Sequence, residues 1–291
     1  MKPISQAWCC QIDITNVCPL SCLYCSRYLP HVRKDQRFFM DLDFFRNALD
    51  SLKDWPATIG IIGGEPTVHP QFREFCAEIA KRFPKEKAML WTSGGRKYEA
   101  CKDIVVSTFS RIAYNPHTPQ QMEHCRHQRI TMAIGDVVKD DKLRAELIDD
   151  CWVQRTWCPS IGHKGAFFCE VAYALDTLLD GPGGYPVEPG WWKRTPDQFK
   201  DQVDRYCNRC GMPVPMERDL IKQGFEYISP DLLDEFRSHN LRGLDGGKIA
   251  VLDLTLNREQ IDTNKATWYP GNYRGDVHED EKAPEGKGST K

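Results

Sequence analysis

Residues 58–62, Thr-Ile-Gly-Ile-Ile, form a short apolar run that stops at Gly63-Gly64. Residues 87–92, Lys-Ala-Met-Leu-Trp-Thr, repeat the pattern and stop at Ser93-Gly94-Gly95. A run this short, closed by glycine, reads as a strand buried on both faces. Around these runs lie stretches with helical spacing. Leu42, Phe45, Leu49 and Leu52 share one face within 41–53, and Phe72, Phe75, Ile79 and Phe83 share one within 70–83. Residues 8–15 read as a further strand, with more strand candidates at 103–107, 111–115 and 129–135. Strand alternating with helix constrains the chain to an α/β fold with a parallel sheet and crossover helices. Such folds place their sites in the loops after the carboxyl ends of the strands. In this chain those positions hold glycine and polar residues.

The strand at 8–15 runs into Thr-Asn-Val-Cys-Pro-Leu-Ser-Cys-Leu-Tyr-Cys, which places Cys18, Cys22 and Cys25 in a C-x3-C-x2-C spacing. Three thiolates this close can hold three irons of a cubane cluster and leave the fourth open for chemistry. Taken alone, the spacing also fits a partial zinc site. The 291 residues contain 13 cysteines, yet the N-terminus lacks the apolar core of a signal peptide. Metal or redox use therefore explains the cysteines better than disulfides do, and the expected location is cytoplasmic. A net charge of −2 offers no basic excess for nucleic acid, and no apolar run reaches the length of a membrane span. Scattered Cys9, Cys10, Cys76, Cys101 and Cys125 read as small buried hydrophobes.

With these residues in view, the sequence resembles the radical S-adenosylmethionine (SAM) enzymes. The resemblance rests on Cys18, Cys22 and Cys25 after a first strand, with aromatic Tyr24 before the third cysteine, and on Gly63-Gly64-Glu65-Pro66 after the second. It implies a partial (β/α)6 TIM-like barrel over about residues 8–136. It also implies a [4Fe-4S] cluster whose open iron chelates the amino and carboxylate groups of SAM, with Glu65 accepting a bond from the amino group. Glycines at 63 and 64 let the backbone approach closely, since no Cβ intervenes. Thr92, Ser93 and Gly94 resemble the ribose-contacting segment. Asn115, His117, Ile134 and Asp136 occupy later strand ends where cofactor or substrate contacts are usual. Asp136, His117 and Tyr114 are the acid–base candidates, with His163 and Glu170 as further ones.

Near residue 150 the composition turns to Trp, Gly, Pro and Cys. Cys158 and Cys169 followed by the Cys207–Cys210 knuckle supply four thiolates, which by themselves fit zinc or an iron–sulfur cluster equally well. Cys151 is the alternative to Cys158 as a ligand. The resemblance implies a small Cys-rich domain of the twitch or SPASM kind, carrying one auxiliary [4Fe-4S] cluster. The expected division is a SAM barrel at 1–150, an auxiliary domain at 151–228, a C-terminal extension at 229–274 and a disordered tail at 275–291. Within the extension, 230–239 reads as a helix and 248–256 as a strand. Trp191-Trp192 in a Gly/Pro loop is a candidate pocket wall. The implied activity is cleavage of SAM to a 5′-deoxyadenosyl radical, hydrogen-atom abstraction, and oxidation of a small molecule or natural product through the auxiliary cluster. Peptide maturation and epimerisation are the enzymatic alternatives, and a non-catalytic metal-binding module is the other. The implied partners are a small-molecule or peptide substrate and an electron donor such as flavodoxin or ferredoxin, with neither nucleic acid nor membrane.

Overall fold

The computed structural model describes residues 1–115, 127–156, 159–216, 224–244 and 246–267. Strands β1 (Cys9–Asp13), β2 (Thr58–Ile62), β3 (Ala88–Thr92) and β4 (Arg111–Tyr114) lie parallel and side by side. β1 is buried along its whole length, including its polar residues Gln11 and Asp13. Helices α1 (Leu42–Ser51) and α2 (Phe72–Arg82) cross over between the first three strands. α1 starts where the Asp41 carboxylate accepts from the Asp43 and Phe44 amides, which caps the first turn. The apolar faces of α1 and α2 meet through Phe45 and Phe75, whose rings stack at 4.2 Å.

The other edge of β1 pairs with β5 (Ser160–Gly162), also parallel, and β6 (Gly165–Phe167) returns antiparallel beside β5. The strand order is β4-β3-β2-β1-β5-β6. The fold is thus mixed α/β on a six-stranded sheet, and the order reverses at β1. A reversal of this kind opens a crevice at the carboxyl ends of the strands, where the cysteine loop begins.

Two expected strands are corrected. Residues 103–107 lie within α4 (Lys102–Thr108), which follows the short helix α3 (Arg96–Ala100). Val105 is buried there and Val106 exposed, so packing of one helical face overrides the β propensity of the valines. Residues 129–134 are buried, yet 129–135 make no ladder. The Ile134 amide donates to the Cys210 carbonyl, the Ala133 amide to Ser229 Oγ and the Gly211 amide to the Ile130 carbonyl. These long-range bonds satisfy a buried backbone without a strand, and a one-turn helix Ile134–Val137 follows. Of the expected strand 248–256 only β8 (Ile249–Val251) forms, pairing with β7 (Glu226–Ile228), while the helix expected at 230–239 spans Pro230–Ser238. Trp191 and Trp192 are both buried, and Trp192 donates to the Ser51 carbonyl and packs edge-on against Trp55. No helix among the described residues is long and apolar enough to cross a membrane.

Candidate active site

The loop after β1 is joined to the loop after β2 by backbone bonds. The Gly64 amide donates to the Thr15 carbonyl at 2.7 Å, and the Glu65 amide to the Val17 carbonyl at 2.9 Å. A Cβ on Gly63 would lie 2.1 Å from the Thr15 oxygen, and one on Gly64 2.3 Å from the Val17 oxygen. Gly63 also has φ +149°, which L side chains rarely adopt. The close approach expected of these glycines is made here to the backbone that leads into Cys18.

Glu65 is buried, and its carboxylate accepts five hydrogen bonds. Oε1 takes the Thr67 amide and the Thr67 and Thr92 hydroxyls; Oε2 takes the Ser93 amide and hydroxyl. The side chain therefore ties the β2 loop to the β3 loop. The bond to a SAM amino group that the resemblance implies for this carboxylate has, in this structure, its acceptor positions taken by Thr67, Thr92 and Ser93. Pro66 opens a single 3-10 turn, Pro66–Val68, which Glu65 caps.

Cys18, Cys22 and Cys25 are half-buried on one loop at this edge. Burial pushes the Cys18 thiol up to about 11, with the Leu20 amide opposing and Cys25 and Glu65 adding to the rise. Burial raises Cys25 likewise. Tyr24, on the same loop, is buried at φ +54°, and its hydroxyl accepts from the Tyr227 amide at 2.7 Å. Gly94 follows β3 at φ +78°, under the exposed Tyr114 ring, which a Cβ there would meet at 2.6 Å. Asn115 donates its amide to the Thr92 carbonyl. Thr92, Ser93, Gly94, Tyr114 and Asn115 thus gather at the ends of β3 and β4. Asp136 and Ile134 do not join them. Asp136 accepts from the Leu232 amide at the start of the helix Pro230–Ser238, and Ile134 is buried in a smaller core with Met132 and Val137. His117, Cys125 and Cys158 lie outside the described residues.

Arg27, two residues after Cys25, is a site residue that the sequence did not reveal. It is buried and pairs with Asp13 at 2.7 Å and with Glu170 at 3.3 Å, and it donates to Gln11. Ser160 Oγ donates to the other Asp13 oxygen at 2.6 Å. One guanidinium thus links the cysteine loop, the end of β1 and the residue after Cys169.

The second cysteine set converges. Cys151, Cys169, Cys207 and Cys210 line one cavity together with Phe168 and Met212. Burial pushes the Cys151 thiol up to about 12. Burial also raises Cys207 and Cys210 well above the ordinary thiol value, and the neighbouring thiols of the set add to the rise. Cys151, the alternative to Cys158 in the sequence, is therefore the fourth thiol of this cavity among the described residues. No disulfide joins the described cysteines, and no three described Cys, His, Asp or Glu side chains are arranged around a single metal ion.

Residues 12–139 match the family model described as the Radical SAM superfamily. This stretch is a radical SAM domain. Two solved structures are similar in part. Selenomethionine BtrN in an open conformation is 12% identical, with a TM-score of 0.44, over 71% of this chain and 87% of that one. BtrN in complex with AdoMet and 2-DOIA is 12% identical, with a TM-score of 0.45, over 70% and 88%. No curated protein matches the chain in sequence. The matched stretch begins within β1, covers β2 to β4 and the whole Cys18–Glu65–Ser93 edge, and ends before the second cysteine set.

Proposed function

We propose that the chain is a radical SAM oxidoreductase that dehydrogenates a small molecule or natural product with the help of a second cluster. The observation that carries the reading is the join between the Gly63–Pro66 turn and the Thr15–Val17 backbone. It brings the cysteine loop and Glu65 to one sheet edge. A [4Fe-4S] cluster with SAM, when bound, would supply one-electron cleavage of a carbon–sulfur bond and a radical that removes hydrogen from substrate. The chain's own residues fit that group. Cys18, Cys22 and Cys25 offer three thiols from one loop, and the glycine turn packs against the backbone that leads into that loop. Glu65, Thr92 and Ser93 hold the two neighbouring loops in register. The protein's part is binding, orientation and exclusion of water.

The cavity of Cys151, Cys169, Cys207 and Cys210 supports an auxiliary [4Fe-4S] site, with Cys151 in place of Cys158. Four sulfurs in apolar surroundings suit such a cluster. A second electron acceptor makes a net two-electron oxidation accessible, with a flavodoxin- or ferredoxin-type protein delivering the first electron. Substituting Cys151→Ser is expected to lower the iron content of anaerobically reconstituted protein from about eight to about four per chain, as loss of one cubane requires. Cys158→Ser is expected to leave it near wild type. The reverse pattern would return the ligand role to Cys158, and one zinc per chain would replace the second cluster.

The function is tested by incubating reconstituted protein with SAM, a reductant and candidate substrates. The expected result is 5′-deoxyadenosine together with loss of two hydrogens from a small molecule. Unchanged substrate mass with solvent deuterium gained at carbon would point to epimerisation. A mass change on a peptide would point to maturation. The variant carrying Cys18→Ala, Cys22→Ala and Cys25→Ala is expected to form no 5′-deoxyadenosine.

A further inference from the structure

The cysteine loop is strapped from outside the radical SAM domain. Strand β7 lies some 200 residues away in sequence, and its first residue, Glu226, is buried against the loop. Glu226 Oε2 accepts the Tyr24 amide at 3.3 Å. Glu226 Oε1 faces His31 Nε2 at 3.0 Å, and His31 Nδ1 faces the Arg242 carbonyl at 3.2 Å. Both ring nitrogens thus face oxygen atoms of the C-terminal segment. The Arg242 amide returns a bond to the His31 carbonyl, and the Tyr227 amide donates to the Tyr24 hydroxyl. Tyr24 and Tyr28 hold left-handed backbone angles of +54° and +52°, which non-glycine residues keep only where their surroundings impose them.

We propose that Glu226 is a positioning residue for the radical SAM cysteines, a latch by which the C-terminal segment holds the loop of Cys22 and Cys25 in its strained, binding-competent shape. The inference rests on the radical SAM reading of that loop. The carboxylate is the one group that bonds both ends of the strap, the amide next to Cys25 and the ring of His31. Without it, the Tyr24 amide would be buried with no acceptor, and the left-handed residues would be free to relax. The remaining Tyr24 hydroxyl bond fixes the ring, and the Tyr28 amide still holds the Cys25 carbonyl, but neither replaces the acceptor of the Tyr24 amide.

The test uses the full chain in two arms. In the first, metal-free wild type, Glu226→Ala and Glu226→Gln are compared by hydrogen exchange. Glu226→Ala is expected to speed exchange across residues 20–31 about tenfold, the loss of one charge-assisted bond, with β1 to β3 unchanged. Glu226→Gln is expected to stay near wild type. Its amide oxygen can accept from Tyr24 while its NH2 faces a neutral His31. In the second arm, iron and the cluster spectrum are measured after reconstitution. Glu226→Ala is expected to lose the iron held by Cys18, Cys22 and Cys25 and to keep the absorbance of the Cys151 set, whereas Glu226→Gln keeps both. Wild-type exchange at 20–31 in Glu226→Ala, or equal loss of protection everywhere in both variants, would overturn the latch. If Glu226→Ala does not fold, Glu226→Asp is read instead. Shortening the side chain by one methylene keeps the charge but withdraws the acceptor from the Tyr24 amide, so exchange is expected to rise in 20–31 alone, and no change there overturns the proposal. A wild type that binds no cluster at Cys18, Cys22 and Cys25 would sink the functional reading, while the exchange arm still reports on the latch.

Discussion

Glu65→Gln is expected to lower the unfolding free energy by about 2–4 kcal/mol and to cut SAM cleavage about a hundredfold. The carboxylate receives two backbone amides, Thr67 on Oε1 and Ser93 on Oε2, besides three hydroxyls. Hydroxyls can rotate to accept from an amide, but backbone N–H groups cannot. Whichever way the glutamine is placed, its NH2 meets one of them. One buried N–H left without an acceptor costs about 1–3 kcal/mol, and losing the charge on the other bonds adds to that. The catalytic loss follows from geometry, because Glu65 is the link between the Gly63–Pro66 turn and Thr92–Ser93. Misplacing a positioning group by about 1 Å is enough for losses of that order. Urea unfolding and the rate of 5′-deoxyadenosine formation check the two effects. Stability within about 0.5 kcal/mol of wild type would show that the carboxylate does not tie the loops.

Arg27→Met is expected to cost about 3–5 kcal/mol, the usual result of stripping one partner from a buried ion pair. Asp13 and Glu170 would keep their places in the core with their cation gone, leaving Asp13 the Ser160 hydroxyl. Arg27→Lys is expected to recover little, since an ammonium cannot reach Asp13, Gln11 and Glu170 from one position as the guanidinium fork does. Combining Arg27→Met with Asp13→Asn is expected to cost less than the sum of the two single changes, because the second removes the charge that the first strands. A double-mutant cycle in denaturant measures the coupling, and strict additivity would deny it. Burial pushes the Glu170 carboxyl above its ordinary value while Arg27 pulls it down. Loss of Arg27 therefore moves Glu170 further towards its neutral form. Arg27 follows Cys25 by two positions and Glu170 follows Cys169 directly, so the same variant is expected to disturb both cysteine sites.

Much of the frame was legible because burial on two faces leaves no alternation and amphipathic helices repeat at 3.6 residues. β2, β3, α1 and α2 fall where those two signals place them. The misreadings have definite causes. The β-branched run at 103–107 buries only one face, and one face suits a helix. The apolar run at 129–135 is buried through residue 134, but its amides find partners in the Cys207–Cys210 knuckle and around Ser229. Cys151 lines the cavity of the second cysteine set while Cys158 lies outside the described residues, and local composition cannot report which thiols reach a shared cavity.

By itself, the sequence determined the chemistry on offer: three thiols at C-x3-C-x2-C spacing, a Gly-Gly-Glu-Pro turn after a buried strand, and further cysteines beyond residue 150. Those are short-range properties, carried by neighbours along the chain. Only the tertiary structure decided what the groups do to one another. It turned Gly63 and Gly64 towards the backbone at Thr15 and Val17 and placed the Glu65 carboxylate among Thr67, Thr92 and Ser93. It buried Arg27 between Asp13 and Glu170 and set Glu226 against Tyr24 and His31. The reason is physical: a buried charge or amide must find a partner, and the fold brings that partner from a distant stretch of the chain where no local pattern marks it.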